Sequence, residues 1–431
     1  MKKFLILLLY TTCIYCQSSG FSLYGVGGRI DVVDPISIGL GNSNYFSGNS
    51  KNINNDSPSS VWRSALTRLS IHSGFDYSNI SDISNQYRHG LTSFSIYFPV
   101  GNKKVFGFGL QPVFRVNDMR IVDETYSFVG SDNSLTKKPI AYKNNYNING
   151  GISQLFLVYS SKLNSNFSYG MKYSLLFGSQ VISDQLYTYD VVVDTSISTS
   201  LLIDEIVNDT TSLFILAKTS SLTEINRYKK FNGSSISFEG RYAYHNHEFV
   251  FSALVHNKNN IKITTEQNIN NFISSSTSQI TSENFTSNFG FGYKNKMSNN
   301  RGIVFESHHK SPFNIPQSVS IFNVLPPKES SYHLGFFYRH LNPKIGFWNS
   351  FIYRLGSYYK SKLFSDNNSF SDFGFTLGFG IEYINSSQSI DIAFRFGNKE
   401  SLSFIDRNEK YISLHIGLMT GEKWFMKRRR K

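Results

Sequence analysis

The sequence predicts an all-β fold: an antiparallel up-and-down transmembrane β-barrel of about fourteen strands, within a range of twelve to sixteen, with an N-terminal plug segment. Three observations predict it. Segments that alternate apolar and polar residues recur through most of the chain. The links between them fall into a short class and a long class. No apolar run after the N-terminus approaches the ~18 to 20 residues that a membrane helix needs.

The clearest alternating segment covers residues 371–383. From Phe373 onward its odd positions are apolar, whereas its even positions are glycine, threonine or glutamate. Side chains alternate between the two faces of a strand, so this segment has one apolar face and one small or polar face. We expect the apolar face to meet lipid and the glycine face to let the plug approach the wall, with Glu382 inside near Arg395.

The same faces predict opposite responses to a buried charge. Changing Leu377 to arginine is expected to cost about 2 to 4 kcal/mol if this position lies at the bilayer midplane. The lumenal Thr376 is expected to tolerate the same change.

Residues 1–16 are predicted to form a signal peptide. Lys2 and Lys3 precede an apolar region, and a polar stretch follows from residue 17. Cleavage after Cys16 is expected, the alternative being a lipoprotein acylated on Cys16. Both cysteines, Cys13 and Cys16, lie in this segment, so the exported chain is expected to hold itself by hydrogen bonds and packing.

Residues 17–66 alternate poorly and are predicted to form a small irregular subdomain before the strands. That this subdomain plugs the lumen is what the chain's resemblance to a family of barrels implies. Pro58 directly after Ser57 predicts a capped short helix over residues 59–66. Trp62 and the apolar residues near Ile38 argue against a disordered segment. The candidate plug residues are Gly39, Gly41, Asn42, Pro58 and Trp62.

Residues 67–420 are predicted to form the barrel, since aromatic residues make up 16% of the chain and suit half-buried strands. The predicted strands are 67–77, 89–99, 103–117, 149–161, 165–181, 231–245, 247–257, 283–295, 301–310, 331–340, 347–360, 370–385, 388–397 and 409–420.

The links between the predicted strands alternate in length, as in outer-membrane barrels with short periplasmic turns and longer extracellular loops. The long links are 118–148, 182–230, 258–282, 311–330, 361–369 and 398–408. Link 182–230 carries the apolar patches 191–193 and 213–216. These patches predict either an extra strand pair that extends the barrel or a lid over its mouth.

Residues 421–431 are predicted to form a basic periplasmic tail. The formal net charge of the chain is +13, and its one dense cluster is 427–431. Contact with anionic lipid head groups is preferred to nucleic-acid binding, so no nucleic-acid partner is expected.

Enzyme motifs and cofactor motifs are not found in the sequence. His308 and His309 are adjacent and therefore point to opposite faces of a strand, and His245 and His247 straddle a turn. No metal, no cofactor and no catalytic residue is therefore expected. A barrel hydrolase, which would use serine or aspartate with histidine at the loop rim, has no specific support.

Charged residues fall on the predicted inner face of the strands. Both signs are present, which favours an ion-pair network that fills the lumen over a lining that attracts solute. The candidates are Arg115, Lys172, Glu239, Arg241, Lys294, Glu306, Arg339, Arg354, Glu382, Asp391 and Arg395.

This architecture resembles the FadL-like outer-membrane transport proteins, fourteen-stranded barrels whose N-terminal segment plugs the lumen as a hatch. The resemblance covers nearly the whole exported chain and includes residues 38–42, Ile-Gly-Leu-Gly-Asn. It also includes residues 55–59, Asn-Asp-Ser-Pro-Ser, which stand where the family carries an Asn-Pro-Ala type turn. The ending 422–429 is similar to the ends of barrels from Bacteroidetes-like bacteria.

The resemblance implies a bacterial outer-membrane channel, not an enzyme, for uptake of hydrophobic small molecules such as long-chain fatty acids. Some FadL-like barrels instead assist protein secretion and attachment, so the alternative is a non-transporting barrel that docks secreted or surface proteins. The expected partners are outer-membrane lipid, a hydrophobic solute and other surface proteins.

Overall fold

A computed structural model gives the structure of the chain. It describes residues 28–30, 34–47, 52–80, 83–101, 103–129, 138–193, 214–256, 259–269, 272–283, 286–298, 300–310, 328–340, 348–365, 368–382, 388–402 and 408–422. The predicted signal peptide with its cysteines and the basic cluster 427–431 lie outside these residues.

The described chain is almost entirely β-strand. In chain order the strands are β1 (Gly28–Arg29), β2 (Thr67–Ile80), β3 (Ile83–Val100), β4 (Lys104–Val129), β5 (Lys138–Lys162), β6 (Phe167–Val193), β7 (Phe214–Tyr244), β8 (His247–His256), β9 (Asn259–Ile269), β10 (Phe272–Glu283), β11 (Thr286–Ser298), β12 (Arg301–Lys310), β13 (Lys328–Arg339), β14 (Phe351–Ser365), β15 (Asn368–Glu382), β16 (Ser389–Leu402) and β17 (Asn408–Glu422).

Fourteen antiparallel strands close into a barrel. Strands β2 to β8 pair in sequence, β8 pairs with β11, and β11 to β17 continue the series. The barrel closes where β17 pairs with β2, from Glu422 opposite Thr67 to Glu409 opposite Ile80. Closure leaves no strand edge unpaired at this junction, which is the condition for a sheet in hydrocarbon. The predicted fold class is confirmed.

Strands β9 and β10 form a hairpin that branches from the ring. Strand β7 pairs with β9 over its first part, from Thr223 to Asn232, and with β8 only from Ser235 onward. The predicted long link 258–282 is in fact this hairpin. Its residues are mostly Asn, Ser, Thr and Gln, so they lack the apolar alternation that marks the other strands.

Several predicted long links are in fact strand. Strand β4 extends to Val129 and β7 begins at Phe214, so the long links 118–148 and 182–230 are largely the ends of long hairpins. The apolar patch Val191 to Val193 pairs with Phe214 to Leu216, which is the extra strand pair and not the lid. The links 361–369 and 398–408 shrink because the strands beside them are longer than predicted.

The outer surface of the barrel is apolar and the inner surface is small or polar. In β15 the side chains of Phe373, Phe375 and Leu377 are exposed, whereas Thr376 and Glu382 are buried inside. Exposed aromatic and aliphatic side chains on alternate positions recur on the other strands of the ring. This is the pattern of strands whose outer side faces lipid. No helix among the described residues has the length and apolarity needed to cross a membrane.

A bulge in β4 reverses its faces. The register with β5 slips between Pro112 and Phe114, so Val113 is an extra residue. Phe106 and Phe108 are exposed, as predicted, but beyond the bulge the faces exchange and Val116 is buried. One extra residue moves every later side chain to the opposite face.

The bulge also corrects the prediction for Arg115. Its guanidinium donates a hydrogen bond to Ser153 Oγ over 2.9 Å. Ser153 lies on the face of β5 that carries the exposed Leu155 and Leu157. Arg115 is therefore not a lumenal residue, and period-two counting without the bulge placed it on the wrong side.

Two short helical turns precede the barrel. Helix α1 (Pro35–Gly39) begins at the cap residue Asp34, whose carboxylate accepts from the amides of Ile36 and Ser37. The predicted helix 59–66 is instead a 3₁₀ turn over Pro58–Arg63. It ends at Arg63 because Ser64 is already extended and leads into β2.

Candidate functional site: the filled lumen

The N-terminal residues 34–47 and 52–66, called the plug here, lie inside the barrel. Helix α1 packs against β14 to β17, and the 3₁₀ turn packs against β4 to β7. Ile38 of α1 is fully buried against Ala393. Nearly all of these plug residues are buried, so the plug occupies the lumen at this level.

Glycines let the plug touch the wall backbone to backbone. A Cβ atom added to Gly39 would lie 2.9 Å from the Cα of Gly378. Gly41 has φ +76°, and its amide donates to the hydroxyl oxygen of Thr376 over 3.0 Å. The same hydroxyl donates to the carbonyl oxygen of Gly39 over 3.2 Å. The glycine face of β15 therefore admits the plug, as the alternation predicted.

Thr376 lies at this plug contact, which overturns its expected tolerance. Arginine there would have to enter the contact with Gly39 and Gly41, so we expect Thr376→Arg to displace the plug. Leu377→Arg is still expected to cost about 2 to 4 kcal/mol, because Leu377 faces outward. Reversible unfolding in lipid vesicles would measure both changes, with Leu377→Met as the control. A Thr376→Arg barrel that keeps its stability and a seated plug would contradict the expectation.

Glu306 on β12 anchors the first half of the plug. Its carboxylate accepts from the amides of Asn44 and Tyr45 over 2.6 and 2.7 Å, and from the hydroxyl of Ser43. Glu306 is fully buried. These bonds compensate the carboxylate for its lost hydration. Removing either the carboxylate or the plug donors would leave the other partner buried without a hydrogen bond.

The side chain of Tyr45 continues this anchor toward the wall. Its hydroxyl hydrogen-bonds Ser252 and contacts Nδ1 of His308 at 3.1 Å. Burial, reinforced by the Glu306 carboxylate, raises the pKa of the Tyr45 phenol well above its ordinary value. The phenol is therefore neutral and can act as a hydrogen-bond donor.

Arg241 on β7 anchors the second half of the plug. Its guanidinium donates to the carbonyl oxygen of Tyr45 over 2.6 Å, and to the hydroxyls of Ser57 and Ser59 over 2.7 and 2.9 Å. It also pairs with Glu239 at 3.1 Å and with Glu248. All five donors of a guanidinium can be used in such a site.

Glu239 and Glu248 complete this charge cluster. Glu239 accepts from the hydroxyls of Ser57 and Ser59, and Glu248 pairs with Arg63 of the plug at 2.6 Å. Both carboxylates are buried. Buried charges in such an arrangement are held by mutual pairing, so removal of one partner is costly.

A third anchor holds the turn at Asn55 and Asp56 of the plug. The Lys172 ammonium lies 3.0 Å from the carboxylate of Asp56 and donates to the carbonyl oxygen of Asn55 over 3.1 Å. The side-chain oxygen of Asn55 accepts from the hydroxyls of Ser95 and Tyr97 over 2.8 and 2.7 Å. Side chains of strands β3 and β6 therefore both bind this turn.

Other predicted charges pair within the wall. Arg354 lies 2.9 Å from Asp391, and Arg339 lies 3.0 Å from Glu382. The expected approach of Glu382 to Arg395 is wrong, because the register sets Arg395 opposite Thr376 and Glu382 opposite Ser389. Arg395 instead lies 3.3 Å from Asp76 on β2, which Arg88 of β3 also contacts.

The remaining predicted residues are also placed inside. Lys294 lies over the rings of Phe46 and Phe337, at 5.9 and 5.0 Å from their centroids. Pro58 sits against Gly170, where a Cβ would come within 2.2 Å of the Pro58 carbonyl carbon. The backbone amide of Trp62 donates to Ser160 Oγ over 3.0 Å. The Lys162 ammonium lies over the Trp62 ring, 4.7 Å from its centroid. The side-chain amide of Asn42 is buried without a hydrogen bond to any described residue.

Parity alone missed several partners of the predicted charges. Glu248 lies at the start of the predicted strand 247–257 and shares the parity of the buried Val250, so the alternation within that strand could have placed it inside. Asp34, Asp56 and Arg63 lie in the plug, where no periodic pattern applies. Only the three-dimensional contacts reveal them.

The adjacent histidines His308 and His309 point to opposite faces of β12. Among the described residues there is no group of three or more His, Cys, Asp and Glu side chains that could hold a metal ion. His308 points into the lumen beside Glu306, whereas His309 points outward to Ser330. The arrangement can hold the plug by charge and hydrogen bonding.

Solved structures share this fold. A FadL homologue from Pseudomonas aeruginosa has a TM-score of 0.56 at 10% identity, with 92% of this chain and 98% of that chain covered. The CymD monoaromatic hydrocarbon channel has a TM-score of 0.54 at 11% identity, with 92% and 99% covered. The Pseudomonas putida toluene transporter TodX has a TM-score of 0.51 at 11% identity, with 91% and 99% covered.

At these identities the likeness shows the fold alone. The titles of two of these neighbours name a channel and a transporter, and no curated protein matches this chain. Together with the apolar outer face, the closed barrel defines an outer-membrane protein of the FadL-like fold with a filled lumen. The family model of BamG matches residues 1–431, so the chain belongs to the BamG family.

Proposed function

We propose that this protein is a plugged outer-membrane barrel that docks other outer-membrane or surface proteins as part of the β-barrel assembly (Bam) machinery. The observation that carries the proposal is the plug itself. Charged groups on β6, β7, β8 and β12 are buried against it, including Arg241 and Glu306. A lumen filled in this way favours a rigid scaffold, and membership of the BamG family supports a Bam-related role.

The branching hairpin β9–β10 supplies a surface for such a partner. This hairpin extends from the rim that carries the long hairpins. Its second strand, β10, exposes apolar side chains. Phe272 is 79% exposed, Ile273 is 68% exposed and Ile280 is 73% exposed. Exposed apolar side chains concentrated on one element mark interaction sites. We take the partner to be a protein of the assembly machinery that buries these side chains.

Affinity purification of the tagged chain from outer membranes tests the docking function. We expect assembly-machinery proteins to copurify with it in a fixed ratio. Replacement of Phe272, Ile273 and Ile280 by serine is expected to abolish this copurification. Trp348→Ser is the matched control, since Trp348 is 70% exposed but lies in the 3₁₀ turn Trp348–Ser350 that precedes β14, away from the β9–β10 hairpin in the chain. Migration of the unaltered protein alone after mild extraction would contradict docking.

A second candidate is uptake of hydrophobic small molecules such as long-chain fatty acids. It is favoured by an apolar cluster inside the barrel wall beyond the plug, formed by Ile152, Leu176, Phe231, Ile261 and Ile263. The fold shared with channels for toluene and monoaromatic hydrocarbons supports it. In this function the plug acts as a hatch that shifts to let a solute pass.

Liposomes that contain the purified protein test this candidate. Labelled fatty acid or toluene should enter them faster than empty liposomes, and the serine replacements on β10 should leave uptake unchanged. Uptake equal to that of empty liposomes excludes the channel but leaves the docking test unaffected.

A further inference from the structure

Two lysines lie directly opposite each other where the β9–β10 hairpin joins the barrel. Lys230 of β7 pairs with Lys262 of β9 in antiparallel register. Both side chains are exposed, whereas their chain neighbours Phe231, Ile261 and Ile263 are buried in the apolar cluster on the other face of the sheet. Side chains alternate between the faces of a strand, so the two ammonium groups lie on the outer face.

No described side chain neutralises this lysine pair. Lys230 and Lys262 have neither an ion pair nor a hydrogen bond to the described residues. The first carboxylate on the same face of β9 is that of Glu266, about 13 Å further along the strand. Directly opposite residues of an antiparallel pair have Cβ atoms about 5 Å apart, and like charges in this arrangement repel. An anion between the two ammonium groups would remove the repulsion and accept charge-assisted hydrogen bonds from both.

The lysine pair lies at the depth of lipid head groups. On the same face of β7, Ile236, Phe238 and Tyr242 are exposed further along the strand. Lys230 lies twelve residues before Tyr242. At about 3.3 Å per residue and a tilt of about 40°, this separation is about 30 Å along the membrane normal, slightly more than the apolar band of about 25 Å. The pair therefore stands just beyond the hydrocarbon, on the side opposite the tight turn that follows Tyr244.

The leaflet follows from the loop lengths. Outer-membrane barrels place tight turns on the periplasmic side and long hairpins on the extracellular side. Strand β7 ends at the tight turn after Tyr244 and begins at Phe214 in a long hairpin. Because Lys230 lies beyond the apolar band toward the long hairpin, the lysine pair faces the head groups of the outer leaflet.

We propose that Lys230 and Lys262 form a binding site for a phosphorylated glycolipid of the outer leaflet. The lipid phosphate lies between the two ammonium groups, and the acyl chains lie along the exposed Ile236 and Phe238. These apolar contacts distinguish a lipid from free phosphate, which would use the lysines alone. The inference goes beyond both proposed functions and does not depend on them, since it concerns how the wall is held in its membrane.

Binding of lipid A to the purified protein in a neutral detergent tests the proposal, with native mass spectrometry giving the bound fraction. The probes are lipid A with its phosphates, the same lipid after phosphatase treatment, and inorganic phosphate. We expect Lys230→Gln combined with Lys262→Gln to weaken binding of the phosphorylated lipid about tenfold or more, because each lysine near an anionic lipid surface contributes a factor of about five. Phosphatase treatment of the lipid should weaken its binding to the unaltered protein to a similar extent.

Lys328→Gln combined with Lys410→Gln is the charge-matched control. Both lysines are exposed, and neither lies directly opposite another lysine. Lys328 is opposite Leu363. Lys410 is opposite Asn79. This variant loses the same charge from separate strands and should keep its lipid affinity within about twofold, because isolated exposed charges are screened by salt.

Lys230→Arg combined with Lys262→Arg keeps both charges and should bind the lipid within about threefold of the unaltered protein. Heat-modifiable gel migration checks that each variant is folded. If the glutamine pair does not fold, the comparison of the two lipids on the unaltered protein decides. Equal affinity in the glutamine pair and its control, or equal binding of the phosphatase-treated lipid, overturns the proposal. Displacement of the lipid by an equal concentration of inorganic phosphate would make free phosphate the ligand and would also overturn it.

Discussion

Replacing Arg241 with leucine is expected to destabilise the protein by about 3 to 5 kcal/mol, the cost of breaking a buried charge cluster. The change removes the positive charge between Glu239 and Glu248, both buried, and the donors to Tyr45 and Ser57. Leucine fills part of the space but satisfies neither carboxylate. Reversible unfolding in urea, followed by tryptophan fluorescence and gel mobility, measures the free energy of unfolding.

The matched control is Lys230→Leu on the same strand. Lys230 is exposed and points away from the plug, so its replacement is expected to change the free energy of unfolding by less than about 0.5 kcal/mol. A similar stability for both variants would show that the Arg241 cluster does not hold the plug. Arg241→Lys should lie between them, since lysine retains the charge but loses the planar fork of donors.

Replacing Gly356 with valine is expected to unseat the plug, with a loss of about 3 kcal/mol or more, at the upper end of overpacking costs. A Cβ at Gly356 would lie 2.1 Å from the amide nitrogen of Gly41 and 2.5 Å from its Cα. Both neighbours are backbone atoms and cannot rotate away. A cysteine at the buried Ser47 of the plug should then become reactive to maleimide while the barrel remains folded.

Gly240→Val is the matched control for this steric effect. At Gly240 an added Cβ would meet only the ring of Phe167, at 3.6 Å, which is ordinary contact. Valine also suits a strand better than glycine does. The Ser47 cysteine should therefore stay protected in this variant. Equal reactivity in the Gly356 and Gly240 variants would mean that the close contact with Gly41 is not needed to seat the plug.

Much of the wall could be predicted from the sequence, because alternation reports directly which side chains face lipid. Residues 371–382, the described part of the clearest alternating segment, have the faces that the pattern predicted. The prediction failed at Arg115, because period-two counting carried the alternation through the extra residue Val113. Pro112 beside it is the local signal, since proline within a strand occurs mainly at edges and bulges. The prediction also failed for β9 and β10, whose Ser- and Thr-rich residues carry little apolar contrast.

The lumen was predicted less completely. The positions of Arg241 and Glu306 inside the barrel follow from parity, but their partners do not. Tyr45 is separated from Glu306 by 261 positions in the chain, and no pattern in either segment specifies the other. The choice of Asp76 over Glu382 as the partner of Arg395 depends on strand register, which alternation leaves undetermined.

The order of elements along the chain makes the seating of the plug depend on completion of the ring. Its residues precede β2 and are synthesised before any barrel strand, yet Pro35 rests against Gly417 on β17, the last strand. Asp34 lies 3.9 Å from His72 on β2, beside the junction that β17 closes. An unfinished chain that lacks β17 therefore cannot seat α1 fully. Protection of the N-terminal segment from a labelling reagent is therefore expected only in a chain whose ring is complete.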